Sequence, residues 1–232
     1  MSEHDEEVGV SDASTGGLSI DIAPTHRIAD SVFQGLREAV LDGRIPPGRR
    51  LSVPALAQQL DVSRSPVREA VARLTADGLA VESPRRGAVV ATITLADLAE
   101  LYEVRGALEG VVARLAIERS GPELADRLDE VLAEHQAALD AGDIQTVQRC
   151  DAAFHRLIRQ ASRHDYASRL LDQIQSQVRL AMRTTMVAAG PERALREHRE
   201  IATAIRLGDA ELAERRAQAH VARLRDALRA QS

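Results

Sequence analysis

Val62-Ser63-Arg64-Ser65-Pro66-Val67-Arg68-Glu69-Ala70 is the stretch on which the fold of this chain turns. Ser65 can cap a helix with Pro66 at its first position, where a missing N–H costs nothing, and Gly78 stops that helix after about Asp77. Upstream, Leu51-Ser52-Val53-Pro54 leads into a short helix with Leu56, Ala57 and Leu60 on one side, and Asp61-Val62-Ser63-Arg64 is a tight connection between the two. Two short helices so joined, the second opening on polar and basic residues, form a helix-turn-helix pattern. Ser63, Arg64, Ser65 and Arg68 then project from a helix N-terminus, where hydroxyls and free N–H groups bind phosphate and Arg pairs bidentately with guanine O6 and N7. Further upstream, Ile28, Val32, Leu36 and Val40 recur at helical spacing and predict a helix over 26–41, after which Pro46-Pro47-Gly48 turns rigidly into Arg49 and Arg50. Downstream, the β-prone runs Leu79-Ala80-Val81-Glu82 and Ala88-Val89-Val90-Ala91 flank the turn Ser83-Pro84-Arg85-Arg86-Gly87. A basic hairpin after such a helix pair is the wing of a winged helix, with Arg85 and Arg86 at its tip.

The whole chain has 232 residues and a net charge of −5, which argues against a nucleic-acid binder until the charge is divided along the chain. Residues 1–23 carry −6, residues 24–92 carry +3 with ten Arg against seven acids, and residues 93–232 carry −2. The first segment has too few apolar residues to offset chain entropy and is expected to be a disordered acidic tail. Residues 24–92 form the DNA-binding domain and 93–232 an all-helical domain. Aromatics make up only 2% of the chain, against base-stacking surfaces for single strands. The single Cys150 excludes a disulfide framework and a Cys-based zinc knuckle. No apolar run approaches the ~18 residues needed to cross a bilayer. Met1-Ser2-Glu3-His4 has neither the basic start nor the apolar run of a secretory signal, so a cytoplasmic chain with no membrane partner is expected.

Thr94 with Asp97 reads as a capping box that opens a long helix over 95–119, and further helices fall over 122–140, 143–162, 165–187, 192–207 and 210–229. The fold class is therefore mostly α: a winged helix-turn-helix with a small β-hairpin, then an antiparallel six-helix bundle. Gly106 and Gly110 permit close helix packing. Ile144, Val147, Asp151, Phe154, His155 and Ile158 fall within one ~100° sector, so Asp151 and His155 face the core. A carboxylate and an imidazole one turn apart in an apolar stripe are costly unless they pair or bind a cation. His198 shares its face with Leu195, Ile201 and Ile205, and His220 sits among Leu212, Ala213, Ala217 and Leu224. Three inward His and one Asp suit a borderline divalent metal, most favourably Zn²⁺, with Ni²⁺ or Mn²⁺ as alternatives, and leave positions open for water or a ligand oxygen. His135, on the stripe of Leu124, Leu128, Val131 and Leu139, is a rival ligand or an outer partner. His4, His26 and His164 read as surface residues.

The run Leu36-Arg37-Glu38-Ala39-Val40-Leu41-Asp42-Gly43-Arg44-Ile45-Pro46-Pro47-Gly48, with Leu56-Ala57, Val62 to Ala70, Leu74, Gly78-Leu79 and Arg85-Arg86-Gly87, resembles the GntR winged-helix family of bacterial transcription regulators. It departs from many members at Val53-Pro54, where they carry charged residues. The resemblance implies a cytoplasmic homodimer on double-stranded operator DNA, with Arg64 and Arg68 reading bases or phosphates and Ser63 and Ser65 contacting the backbone. The segment Asp97-Leu98 to Leu108-Glu109, then Asp151-x-x-Phe154-His155, Glu197-His198 and Ala219-His220, is similar to the FCD ligand-binding domain of the FadR-type subgroup. In metal-binding members an Asp and three His take positions matching Asp151, His155, His198 and His220, and small organic acids bind beside the metal; Arg105 then faces the pocket and pairs with an effector carboxylate. The function expected is a regulator, a repressor by this reading, whose operator binding answers to a small carboxylate. Alternatives are a metal sensor, in which occupancy itself is the signal, and a metal-dependent hydrolase, for which no general base or nucleophile is evident. The chain is accordingly read as no enzyme.

Overall fold

The structure is a computed structural model and describes residues 25–182 and 190–230. The acidic segment over 1–23, with His4, and the last turn of the helix placed over 165–187 lie outside the described residues. The chain is mostly helical, with a two-stranded wing: α1 (Thr25–Leu41), α2 (Val53–Gln59), α3 (Arg64–Ala76), β1 (Ala80–Ser83), β2 (Gly87–Val90), then α4 (Leu95–Arg119), α5 (Glu123–Ala141), α6 (Ile144–Ser162), α7 (Asp165–Met182), α8 (Pro191–Arg206) and α9 (Ala210–Arg229).

α3 starts earlier than the position of Pro66 suggests. Its N-cap is Ser63, not Ser65, and Pro66 is its third residue. The first four N–H groups of any helix lack an intrahelical partner, so proline is tolerated anywhere in that turn and does not fix the start. Gly78 ends the unit with φ +70°, and a Cβ there would lie 2.6 Å from Nε2 of Gln177, whose amide donates to the Asp77 carbonyl at 3.1 Å. The positive φ favours glycine at this turn, and the Gln177 amide from α7 fills the space a Cβ would take.

The antiparallel hairpin pairs Ala80 with Val90 and Ser83 with Gly87, and Arg85 sits at its tip with φ +64°. The segment after the Pro-Pro-Gly turn zips onto the outer edge of β2. Gly48 N–H donates to Val90 O at 2.8 Å, Val90 N–H to Arg49 O at 2.9 Å and Leu51 N–H to Ala88 O at 2.9 Å. Arg49 and Arg50 are thereby held rigidly beside the wing.

At the start of α4 the capping box closes: Asp97 N–H donates to Thr94 Oγ1 at 3.1 Å and Thr94 N–H to Asp97 Oδ2 at 2.9 Å. α4 is the central rod of the bundle, packed along its length on α9 and also on α6 and α7, while α5 joins α6 to α8. Gly110 lets α9 approach, since a Cβ there would meet Gln218 Cγ at 2.7 Å. One apolar core runs from α1, α3 and the wing through Leu98 and Tyr102 to Ile174, Val178, Val221 and Leu228; a second, around Phe154, Leu128, Leu195 and Ile201, fills the far half of the bundle. Polar contacts reinforce the first: Arg37 Nη2 donates to Ser176 Oγ at 2.6 Å and Gln173 Nε2 to Asp77 Oδ1 at 3.4 Å.

Candidate nucleic-acid interface and metal centre

Ser63, Arg64, Ser65 and Arg68 at the start of α3, Arg49 and Arg50 on the zipped segment, and Arg85 and Arg86 on the wing are all exposed. The Ser63 hydroxyl makes no capping bond and is available to a phosphate. Arginines with a structural task in this module are tied down: Arg73 is 2.5 Å from Asp30 and lies over the Phe33 ring at 4.0 Å. By contrast, Arg49, Arg50, Arg64, Arg68 and Arg85 make no ion pair with any described residue; Arg86 reaches only the Gly48 carbonyl, at 3.4 Å. An open cavity of 730 Å³ at the foot of the wing is lined by Arg44, Gly48, Arg49, Arg50, Gln59 and Arg86. Unpaired guanidiniums, a free hydroxyl and helix N-terminal amides on one face make an anion-binding surface fit for a nucleic-acid backbone.

In the bundle, α6, α8 and α9 bring His155, His198 and His220 together, all buried, with one ligand atom from each within 4.8 Å of the others. Asp151 Oδ1 lies 3.7 Å from His198 Nε2, but its side chain is 37% exposed. The helical stripe predicts Asp151 facing the core; its carboxylate does turn toward His198, but from the rim of the cluster, partly open to solvent. His135 on α5 is buried with its ring 6.2 Å from that of His198, outside the triad.

Two acids orient two of the imidazoles from behind. Glu197 Oε2 lies 2.8 Å from His220 Nδ1, and Glu109 Oε2 lies 3.5 Å from His155 Nδ1, which leaves Nε2 of each ring for the cluster. Burial alone would raise the Glu109 carboxyl, but His155, Arg105 and Arg159 outweigh it and hold it at about 2. Burial also opposes Glu197, and His220 and Arg223 bring it to about 2. His198 is pushed well below the ordinary histidine value by burial and then by His155 and His220, so it is neutral, the form a metal ligand requires. His155 Nε2 and both nitrogens of His198 are buried without a hydrogen-bond partner among the described residues. Buried polar atoms are nearly always satisfied. Buried imidazoles with orphaned nitrogens converging beside a carboxylate fit a divalent cation.

Arg105 on α4 is 5% exposed, with Nε 3.5 Å from Glu109 Oε1, and it depresses His198 and His220 electrostatically. It therefore lies within the field of the cluster and carries a guanidinium there. Glu109, Glu197 and Arg159 were not singled out from sequence. Arg159 Nη1 is 3.6 Å from Glu109 Oε1, and its Nη2 is 3.4 Å from Asp172. Its place at i+4 from His155 and i+8 from Asp151 was the available signal.

Residues 28–90 match the family described as bacterial regulatory proteins, gntR family, and residues 100–223 match the FCD domain. The chain is 30% identical to the uncharacterized HTH-type transcriptional regulator YdhC of Bacillus subtilis (strain 168), over 81% of this chain and 85% of that protein. It is 27% identical to the HTH-type transcriptional repressor RspR of Escherichia coli (strain K12), over 91% and 93%. The crystal structure of a GntR transcriptional regulator from Rhodococcus sp. RHA1 superposes with a TM-score of 0.68 at 27% identity, over 88% of this chain and 98% of the other. E. coli McbR/YncC, at 24% identity over the same shares of the two chains, has the same fold with a TM-score of 0.67. Among the described residues no helix is long and apolar enough to cross a membrane. This chain belongs to the GntR family of bacterial transcriptional regulators, a DNA-binding winged helix joined to an FCD domain, and is not an enzyme.

Proposed function

We propose that this regulator is a homodimeric repressor whose winged helices hold a palindromic operator, and that a small organic carboxylate bound in the FCD domain controls its grip. Support for repression comes from RspR, which is named a repressor. The reading of the sensor rests on one observation: three buried histidines whose ligand atoms lie within 4.8 Å, two of them, His155 and His198, with orphaned nitrogens, and Arg105 buried with them. Asp151, His155, His198 and His220 would hold the metal, most favourably Zn²⁺. Bound there, the metal would supply open coordination positions to an oxygen ligand. Arg105 pairs with the effector carboxylate, exchanging its loose contact with Glu109 for a bidentate one. A second carboxylate near Arg105 leaves Glu109 to Arg159 and His155, so the buried charges stay balanced.

The response reaches DNA by short routes. α4, which carries Arg105, begins at Leu95, directly after the wing. α7 grips the end of α3 through Gln177 and Asp77. Displacing α4 against α9 therefore re-aims both the wing and the recognition helix. By linkage, operator DNA shifts effector affinity by the same factor.

A thermal-shift screen of small carboxylates, with and without chelator, tests the proposal, because a ligand of the native state raises the melting temperature by mass action. A shift that vanishes with chelator is expected; no carboxylate shifting the metal-loaded protein overturns the sensor reading. Arg105→Ala is expected to keep the operator affinity of the free protein and to weaken its response to the effector found by the screen about tenfold or more, as loss of a charge-assisted pair implies. Normal effector affinity and response in that variant remove Arg105 from the site.

A further inference from the structure

Metal-ligating histidines almost always donate their other ring N–H to a carboxylate, a carbonyl or a water, which fixes both the tautomer and the ring. His155 has Glu109 at 3.5 Å and His220 has Glu197 at 2.8 Å. His198 has no such partner: it is 0% exposed, Nδ1 and Nε2 both lack a hydrogen bond among the described residues, and Phe154 stacks on its face at 4.3 Å and 16°. The stacking holds the plane of the ring, so whatever partners it must come from the edge. His135 enters from α5 and is 1% exposed, and both its nitrogens are likewise without a partner. Its ring lies 6.2 Å from that of His198, centroid to centroid, and tilted by 54°.

We infer that His135 is the positioning residue of His198, joined to it through one bridging water, and that it supplies the outer contact that Glu109 and Glu197 supply to the other two ligands. The inference rests on the metal reading proposed above. A centroid separation of 6.2 Å keeps any two ring nitrogens about 4 Å or more apart, beyond direct hydrogen-bond reach, and two hydrogen bonds through a single water span up to about 5.6 Å. A water there has polar partners on both sides, which a buried water requires. Two orphaned imidazoles are then satisfied together. Burial pushes His135 below the ordinary histidine value, leaving it neutral with one donor and one acceptor nitrogen. Around it, Asp151 favours the charged ring and Arg199 opposes it. An apolar side chain in its place would leave one nitrogen of His198 unpaired and the tautomer of the ligand undefined.

The test uses the full chain stripped with chelator and titrated with Co²⁺, whose visible bands report affinity and ligand set, with Zn²⁺ in competition. His135→Leu is expected to weaken Co²⁺ and Zn²⁺ binding by ~10–100-fold, the range for loss of an outer-shell partner, with band positions and intensities unchanged. His135→Gln, which can donate and accept, is expected to recover most of that loss. Should the Leu variant fail to fold, His135→Phe carries the same expectation, because its ring fills the site without a nitrogen. Wild-type affinity in either apolar variant that folds overturns the inference. Bands showing a lost ligand in these variants overturn it too, by making His135 a ligand. A wild-type chain that binds no Co²⁺ removes the metal reading itself, and is told apart by failing before any His135 variant is compared.

Discussion

A His155→Ala/His198→Ala double variant is expected to carry no bound metal after purification, and the wild-type chain one equivalent. The substitutions remove two of the three imidazoles whose ligand atoms lie within 4.8 Å of one another, and leave His220 with an Asp151 side chain that is 37% exposed at the rim. Two ligands, one of them solvated, do not hold a transition metal against a chelator. The effect reaches stability. Metal at a hundredfold excess over its Kd adds ~2.7 kcal/mol to the wild-type fold, which at ~2–4 °C per kcal/mol for a chain of this size raises Tm by about 5–10 °C. The double variant should melt at one temperature with and without metal. Elemental analysis and a melting curve decide the matter. A variant that still holds one equivalent eliminates these four residues as the site and brings His135 forward as a ligand.

Arg68→Ala is expected to abolish specific operator binding. Arg68 lies one turn into α3, exposed and without an ion pair among the described residues, on the helix face that carries Ser65 and Arg64. A bidentate pair with a guanine is worth ~1–3 kcal/mol of discrimination, and the proposed dimer would make it twice, ~2–6 kcal/mol in all. That covers much of the ~4–10 kcal/mol separating specific from non-specific complexes. Non-specific binding should survive, because Arg49, Arg50, Arg64, Arg85 and Arg86 still neutralise phosphates. The net charge of −5 does not prevent it, since screening over ~8–10 Å hides distant acids from the wing. Binding isotherms at several salt concentrations separate the two components. Unchanged operator preference and salt slope would mean that α3 does not present Arg68 to the groove.

The periodic helices are legible because each keeps one apolar stripe toward the bundle and a polar face outward: α6 and α8 declare themselves through Phe154, Ile158, Leu195 and Ile201. The wing was legible because a rigid turn separates two β-prone runs. The start of α3 was misplaced by two residues, since Pro66 is accepted anywhere in the first turn. The pairing of Arg50 with Val89 left no trace in sequence, because a single bridge imposes no alternation. His155, His198 and His220 stood out as polar residues on apolar stripes. Glu109 did not: α4 is surrounded by α6, α7 and α9, so it buries polar residues on several sides, and an acid four residues after Arg105 reads as an ordinary solvated pair. Asp151 reads as inward, and its carboxylate does approach buried His198, but a helical wheel does not say how much of a side chain stays open to solvent.

Interfaces between domains of one chain are ordinarily polar and modest, and the domains melt apart. Here Leu74 and Leu79 of the DNA-binding module share one continuous core with Leu98, Tyr102, Ile174, Val178 and Leu228 of the bundle. Neither the DNA-binding module nor the adjoining half of the bundle can open without exposing apolar surface of the other, so their unfolding is coupled. Tyr102 belongs to that core and stands three residues from Arg105, which ties the sensor's floor to the reader's foundation. Whatever stabilises the histidine cluster stabilises the recognition helix with it. Evolution of this regulator therefore cannot adjust the stability of its sensor and of its reader independently: a core change accepted in one is felt in both.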